Sequence, residues 1–289
     1  MKQFPPSELI VNTDGSIFHL HLKPEQLADN VILVGDPGRV ALVAEYFDSQ
    51  ECSISSREFN TITGIYKGKR ISVISTGIGT DNIDIVMNEM DALANIDLVA
   101  RVEKSTFRQL NIVRIGTSGG MQPDIPLGSF LISEKSIGFD GMLNFYAGRD
   151  KVSDLDFENA MKKHLDWNPQ LAAPYVVDAD TELVERIGQN DMLRGVTISA
   201  NGFYGPQGRV LRLQLADMQL NDKIESFRYG KYKITNYEME GSAIAGLAKM
   251  MGHKAMTVCC IIANRRIEAA SPDYKPYIES LVTTVLDRI

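Results

Sequence analysis

The chain of 289 residues contains only three cysteines, Cys52, Cys259 and Cys260. Their number is odd, and two of them are adjacent in a strongly apolar run. This pattern argues against a disulfide framework and is typical of proteins of the reducing cytosol. We therefore expect a cytoplasmic location.

Long apolar runs are also missing. The longest one near the end of the chain, AMTVCCIIA at 255–263, is too short to span a bilayer. The opening stretch, MKQFPPSELIVNTDG, lacks the continuous apolar core of a signal peptide. We expect no membrane partner.

Basic residues are fewer than acidic ones: 30 Lys and Arg residues against 37 Asp and Glu residues give a formal net charge of −7. This balance argues against a nucleic-acid partner, and an anionic substrate would need a local cluster of arginines.

The chain also lacks a Pro/Ser/Gly-rich linker, while its 44% hydrophobic and 23% charged residues are ordinary globular usage. We therefore predict a single domain over 1–289.

Short apolar runs rich in β-branched residues alternate with helical patterns along the chain. Near-continuous apolar runs predict strands buried on both faces, at 30–35, 70–76, 111–118, 128–133, 175–179, 195–199 and 255–263. Apolar residues at three- and four-residue steps predict helices at 38–47, 81–95, 156–165, 179–188, 241–251 and 275–288. This alternation predicts an α/β layered fold, in which binding sites lie beyond the carboxyl ends of the strands.

Two predicted strands end in residues suited to an anion. In GDPGRV (35–40), Gly35 can expose backbone N–H groups and Arg39 follows closely, although a plain strand-to-helix turn has the same pattern. In VRIGTSGG (113–120), Arg114 lies inside an apolar strand and needs an anionic partner, and Thr117 and Ser118 add hydroxyl donors. That partner could be a bound anion or a structural carboxylate.

Two carboxylates, Glu238 and Glu240, stand in NYEMEGSA (236–243) and are followed by small residues. Without neighbouring His or Cys they make a poor zinc site. A carboxylate can accept two sugar hydroxyls, or one of these glutamates could pair with Arg114.

A Gly/Pro loop, GFYGPQGR (202–209), carries two aromatic residues ahead of Gln207 and Arg209. Aromatic faces stack on planar bases, and the amide and guanidinium groups could read the edge of a pyrimidine. An ordinary loop with an aromatic anchor is the alternative. For Arg57 in SSREFNT and Arg265 in ANRR, solvated surface arginines are the default interpretation.

Taken in order, these segments resemble the hexameric class of nucleoside phosphorylases, and within it the enzymes that cleave uridine. The matching blocks are FHL, GDPGRV, REF, STGIG, RIGTSG, YGPQGR, NYEMEG and ANR, from about residue 18 to 265. The resemblance implies a three-layer α/β/α sandwich whose central mixed, partly barrel-like sheet is flanked by helices. It implies reversible phosphorolysis of uridine, deoxyuridine or thymidine, which for uridine gives uracil and ribose 1-phosphate.

The resemblance also implies roles for individual residues. The residues implied for phosphate are Gly35, Arg39, Arg114 and Thr117, with Arg57 from a neighbouring subunit. The residues implied for ribose are Met239 and Glu240, with His19 from the neighbour. Glu238 is expected either to touch ribose or to hold an arginine of the phosphate site in place, and Glu240 is the favoured ribose ligand. The residues implied for the base are Ser118, Phe203, Gln207, Arg209 and Arg265. Purine-specific relatives place an aspartic acid where this chain has Asn264, and asparagine has no proton to deliver to a purine.

Phosphate is then a co-substrate, and the reaction needs no redox cofactor. A potassium ion between subunits is held in some relatives by positions that match Glu58, Ile78 and Asn82, where Asn82 replaces a serine. The expected partners are a nucleoside and phosphate, and the family suggests a homo-oligomer, at least a dimer and by analogy a hexamer. Segments 96–110 and 141–172 depart from the family pattern, and the Gly and Pro of YGPQGR are exchanged.

Three alternatives remain open at this point. They are a purine nucleoside phosphorylase on the same scaffold, a nucleosidase that uses water, and a non-catalytic nucleoside-binding protein.

Overall fold

The computed structural model describes residues 3–289 and divides them into strands and helices that alternate along the chain. The strands are β1 (Asn30–Val34), β2 (Ser49–Ser56), β3 (Phe59–Tyr66), β4 (Lys69–Ser75), β5 (Ile96–Asp97), β6 (Val102–Glu103), β7 (Asn111–Gly120), β8 (Phe130–Gly138), β9 (Tyr175–Asp178), β10 (Leu193–Ser199), β11 (Arg228–Tyr229), β12 (Tyr232–Glu238), β13 (Lys254–Asn264) and β14 (Ala269–Ala270). The α-helices are α1 (Gly38–Ala44), α2 (Thr80–Asn95), α3 (Leu155–Leu165), α4 (Thr181–Gly188), α5 (Leu220–Ser226), α6 (Gly241–Met251) and α7 (Lys275–Arg288).

One mixed sheet of 12 strands forms the centre of the molecule, in the order β11-β12-β10-β8-β13-β7-β1-β4-β3-β2 with β9 and β14 attached at the side. Strand β12 also pairs with β7, antiparallel, through Asn236–Gly120 and Tyr237–Gly119. This pairing closes β7, β12, β10, β8 and β13 into a ring. The predicted α/β fold with a partly barrel-like sheet is therefore confirmed.

Alternate residues of the buried strands face two separate cores. In β1, Val31 and Leu33 pack into the core under α2 and α6, whereas Ile32 and Val34 pack into the core under α1, α4 and α7. A strand covered on both faces needs apolar side chains at every position, which explains the continuous run in the sequence. Within residues 3–289, no helix is both long and apolar enough to cross a membrane.

Local signals fix several helix ends. Asp154 and Asp180 cap α3 and α4 by accepting the backbone N–H groups of Phe157 and Leu183, and α6 ends at Gly252 with a φ of 85°. All seven predicted strands and all six predicted helices are present, with small differences at most ends, whereas the strand predicted at 128–133 continues to Gly138 as β8.

The sequence patterns missed the β2–β3 hairpin, the strand β12 and the helix α5. Strand β2 is polar and faces solvent along much of its length, so it has no apolar run. Segment 96–110 begins with a small antiparallel hairpin, β5–β6. Segment 141–172 contains two short 3-10 helices and then α3.

Strands β1, β4, β7 and β13 run parallel, so their carboxyl ends lie side by side. The antiparallel pairing of β12 brings the end of that strand to the end of β7. Residues that follow these strands in different parts of the sequence are thereby collected at one edge of the sheet.

Candidate active site

A cavity of about 700 Å³ opens at this edge of the sheet. The predicted residues that line it are Gly35, Arg39, Glu58, Ile78, Asn82, Arg114, Thr117, Ser118, Phe203, Gln207, Arg209, Glu238, Met239 and Glu240. Three predicted residues, His19, Arg57 and Arg265, are not in this wall. The volume lies in the range of small-molecule sites.

Arg114 of β7 is the most deeply buried cation of the cavity, with 5% of its surface exposed. Its Nη1 lies 3.2 Å from Glu238 Oε2, and its Nη2 bonds Glu240. Burial alone would lower the pKa of Arg114, but the two carboxylates outweigh burial and raise it. Both partners considered for Arg114 are therefore compatible with the structure, because this arginine lies at a candidate anion site and is also paired with carboxylates.

Gly116 leaves room for the Arg114 side chain on the same strand. Residues 114 and 116 point to the same face of β7, and a Cβ atom at 116 would overlap the Arg114 guanidinium. The glycine of RIGT is thus required by space and not by its backbone angles.

Arg39, in the first turn of α1, adds a second cation to the same wall. Burial lowers the pKa of Arg39, and electrostatic repulsion from the Arg114 guanidinium lowers it further. An anion bound between them would relieve this repulsion.

The charges that line the cavity nevertheless sum to a deficit of positive charge. The arginines are Arg39, Arg114 and Arg209, and the acids are Asp36, Glu58, Glu238 and Glu240, so three cations face four anions. To bind a phosphate dianion, the cavity would need a further cation, or one of its arginine–carboxylate ion pairs would have to break.

Glu238 and Glu240 have different surroundings although they are two residues apart. Both oxygens of Glu238, at the end of β12, accept hydrogen bonds from backbone N–H groups of Glu240 and Gly241 at 2.8–3.0 Å and from the Ser199 hydroxyl. Glu240, at the start of α6, accepts from the Gly79 N–H group at 2.8 Å and from Arg114. Burial raises the pKa of Glu240, and Arg114 opposes this shift.

The residues Phe203, Gln207 and Arg209, which are predicted to bind the base, lie on the loop between β10 and α5. Phe203 is half exposed, and the Arg209 guanidinium carbon lies 3.6 Å from the centre of its ring. Arg209 Nη1 donates to Gln207 Oε1 at 2.6 Å. Burial and the charge of Arg265 lower the pKa of Arg209 to about 10, and no carboxylate within residues 3–289 forms an ion pair with either arginine.

Arg265 lies behind this loop, where its guanidinium bonds the Gln207 carbonyl oxygen. It faces the Tyr237 ring, with 5.9 Å between the guanidinium carbon and the ring centre. The structure thus places Arg265 as a support of the base loop and not in the cavity wall.

Two side chains near the predicted base site are already engaged elsewhere. The Ser118 hydroxyl donates to the Tyr237 carbonyl at 2.9 Å and accepts from Asn236 at 2.6 Å. The Asn264 amide donates to the carbonyl oxygens of Gln122 and Ile125 at 2.8 and 2.9 Å. The cavity wall at this end of β13 is formed instead by Ile262 and Ala263, which have no proton to give.

His19 and Arg57 lie together outside the cavity. The Arg57 guanidinium carbon is 5.6 Å from the Phe18 ring, and that ring is 4.6 Å from the His19 ring. Arg57 is exposed in the turn of the β2–β3 hairpin, with a φ of 57°. Nothing in one chain tests their predicted role in a neighbour's site, so that role stays a prediction.

The residues of the potassium prediction share one side of the cavity. Glu58 and Asn82 both lie beside Gly77, whose φ is 69°, and a Cβ atom there would lie 2.6 Å from Asn82 Nδ2 and 3.1 Å from Glu58 Cγ. The ion itself stays a prediction.

Sequence reasoning missed some wall residues, among them Asp36, Gly77, Tyr237 and Ile262. Asp36, Gly77 and Tyr237 lie within the matched blocks GDPGRV, STGIG and NYEMEG, so they could have been predicted to line the site from their position in these blocks. Ile262 carries no polar atom that could have marked it.

The family model of the phosphorylase superfamily matches residues 29–283. A uridine phosphorylase of Thermococcus kodakarensis is 29% identical over 92% of this chain and 83% of its own. A DeoD-type purine nucleoside phosphorylase of Bacillus subtilis is 27% identical over 84% of this chain and 85% of its own.

Among solved structures, a Trypanosoma brucei nucleoside phosphorylase with uridine phosphorylase activity is similar, with a TM-score of 0.88 and 27% identity. The alignment covers 97% of this chain and 98% of that one. The fold, the cavity at the strand ends and the family match agree, and this chain belongs to the phosphorylase superfamily.

Proposed function

We propose that this protein is a uridine phosphorylase, which converts uridine and phosphate reversibly to uracil and ribose 1-phosphate. The observation that carries the proposal is the joint placement of two arginines, a carboxylate at a helix start and an aromatic loop in one cavity. Relatives named for uridine phosphorylase activity support the substrate.

Arg39 and Arg114 are the groups that would hold phosphate. Charge-assisted hydrogen bonds from arginine are short and strong, and they keep a dianion against the face of the sugar opposite the base. Thr117, beside them in the wall, would add a hydroxyl. Positioning of this kind can contribute about 7–11 kcal/mol toward the barrier.

Glu240 would orient the ribose. Its carboxylate faces the cavity between Arg114 and the Gly79 N–H group, and it can accept sugar hydroxyls when the nucleoside arrives. Met239 supplies an apolar surface beside it. Cleavage builds positive charge on the sugar, as in glycoside hydrolysis, and the carboxylate and the phosphate both stabilise that charge.

Gln207 and Arg209 would stabilise the leaving uracil. The uncompensated positive charge of this loop suits a base that acquires negative charge as the bond breaks. A purine leaving group is better served by a proton donor, and the wall residues Ile262 and Ala263 cannot provide one. This contrast favours a pyrimidine over a purine.

The charge deficit of the cavity supports a contribution from a second subunit. Three arginines against four acids leave no net attraction for a dianion, whereas Arg57 lies unused by its own cavity. We infer a homo-oligomer, at least a dimer and by family analogy a hexamer, in which Arg57 and His19 serve the neighbour's site.

The test is release of free base from uridine, deoxyuridine, thymidine, cytidine and inosine, with and without phosphate. We expect phosphate-dependent release that is fastest for a uracil or thymine nucleoside. A preference for inosine would indicate a purine nucleoside phosphorylase instead. Base release that does not need phosphate would indicate a nucleosidase, and no base release at all would indicate a binding protein.

Site sharing has a separate test. Arg57→Ala and Glu240→Gln subunits, each expected to be impaired alone, should regain activity when mixed, because some sites then receive both intact residues. No recovery in oligomers verified to contain both subunits would contradict sharing.

A further inference from the structure

Glu238 is held more firmly than a ligand-binding carboxylate needs to be. Its two oxygens accept from the Glu240 and Gly241 N–H groups and from the Ser199 hydroxyl, and only 4% of its surface is exposed. Arg114 Nη1 lies 3.2 Å from Glu238 Oε2 as an ion pair. A sugar hydroxyl would have to displace one of these donors. Breaking such a buried set leaves polar groups unpaired.

Ser199, at the end of β10, fixes the orientation of this carboxylate. Its oxygen accepts the Ser242 N–H group at 2.8 Å, and its hydroxyl hydrogen points to Glu238. Ser199 is fully buried and does not line the cavity. It therefore acts on the site only through Glu238.

Glu240 differs in what holds it, since among residues 3–289 only Gly79 and Arg114 donate to its side chain. An incoming phosphate can compete for Arg114 Nη2, and the ribose hydroxyls can replace Arg114 at Glu240. During this exchange Arg114 Nη1 can stay on Glu238, 3.2 Å away.

We propose that Glu238 and Ser199 are positioning residues that fix Arg114 for phosphate, and that Glu240 alone of the two carboxylates contacts the sugar. This inference rests on the proposed function for the identity of the anion. Of the two roles expected for Glu238, it selects the one in which this carboxylate holds an arginine of the phosphate site.

The test uses Glu238→Gln and Ser199→Ala with two matched controls. Glu158 is a buried glutamate that accepts from Arg149 at 2.6 Å and from the Val176 N–H group at 3.0 Å, outside the cavity. Ser72 is a buried serine that accepts the Ala28 N–H group at 2.8 Å, also outside the cavity. Glu158→Gln and Ser72→Ala therefore remove the same chemistry elsewhere.

Two quantities are measured, the dissociation constant of inorganic phosphate by calorimetry and the ratio of kcat/KM for uridine and 2′-deoxyuridine. We expect phosphate to bind about tenfold more weakly to Glu238→Gln and about threefold more weakly to Ser199→Ala, with the substrate ratio unchanged. Both controls should bind phosphate within about twofold of the wild type. Ser199→Thr, which keeps the hydroxyl, should restore part of the loss.

A changed uridine to 2′-deoxyuridine ratio with unchanged phosphate affinity would overturn the inference, because it marks Glu238 as a ribose ligand. If Glu238→Gln does not fold, Ser199→Ala decides alone. Wild-type protein that binds phosphate but does not cleave uridine would refute the proposed function while the titration still tests the positioning role. Wild-type protein that binds no phosphate would overturn both.

Discussion

The two ends of the cavity are built differently. At the phosphate and ribose end, Arg114, Glu238 and Glu240 lie within a strand or directly at a strand or helix boundary, and each is at most 5% exposed. At the base end, Phe203 and Tyr204 are 50% and 54% exposed on a loop. Buried charges are costly unless they are paired, so the first end is organised before any ligand arrives.

The end of the cavity that would bind the base is more exposed to solvent, and the Arg209 side chain partly closes it. Arg209 lies over the Phe203 ring, on the face where a base could stack. Either Arg209 moves when the nucleoside binds or the base uses the other surfaces of the loop. The groups proposed to act on phosphate and ribose are thus fixed by the sheet, whereas those proposed to bind the base lie on a more exposed loop.

The largest effect should follow removal of Arg114. Arg114→Ala leaves two buried carboxylates without their cation, so we expect kcat/KM to fall by about 10³-fold and stability by about 3–5 kcal/mol. Steady-state kinetics and urea unfolding check both values. Arg149→Ala, which breaks the structural pair with Glu158, should lower stability while phosphate saturation stays normal. Normal phosphate saturation in Arg114→Ala would remove this residue from the phosphate site.

A smaller loss should follow Glu240→Gln. The amide cannot match a carboxylate as an acceptor for ribose hydroxyls, so we expect kcat/KM for uridine to fall by about 10- to 100-fold with the fold intact. Circular dichroism and kinetics with uridine check this prediction. Unchanged rates would exclude Glu240 from the sugar site and would weaken its contrast with Glu238.

Gly116→Ala tests whether the fixed end depends on close packing. The new methyl group would push the Arg114 guanidinium away, and we expect KM for phosphate to rise about tenfold and stability to fall by about 1–3 kcal/mol. Gly246→Ala also creates an overlap, with Leu143 in an apolar core, and should lower stability alone. Equal KM for phosphate in both variants would show that Gly116 does not position Arg114.

The smallest effect should come from the loop. Arg209→Lys keeps the charge but loses the planar fork, so we expect kcat/KM for uridine to fall about three- to tenfold with little change in stability. KM for phosphate should not change, and the preference among uridine, thymidine and inosine should shift. A rise in KM for phosphate with no shift in preference would contradict the division of the cavity into two ends.

The sequence predicted well those parts of the fold that are buried on both faces. Strands β1, β7 and β13 are visible as apolar runs because both of their faces meet a core. Strand β12 was missed because Thr235, Asn236 and Glu238 are polar yet buried, and they satisfy one another and their neighbours only after the ring of strands has closed. No linear pattern contains that information.

The site was predicted through the ordered blocks and not through any single motif. The resemblance favoured Glu240 over Glu238 as the ribose ligand, but it could not show what holds each carboxylate, because their difference lies in donors from β10, α6 and the loop before α2. It also could not show that Asn264 holds the backbone of Gln122 and Ile125. The roles of His19 and Arg57 concern a second subunit and stay predictions, as does the single-domain organisation over 1–289.

The most direct test of the proposed function is ³¹P NMR of the wild-type protein with uridine and inorganic phosphate. We predict a sugar-phosphate resonance of ribose 1-phosphate that grows in equal amount with released uracil while the phosphate resonance declines. Uracil released with free ribose and an unchanged phosphate resonance would contradict phosphorolysis, as would uridine left intact under conditions in which the protein is folded.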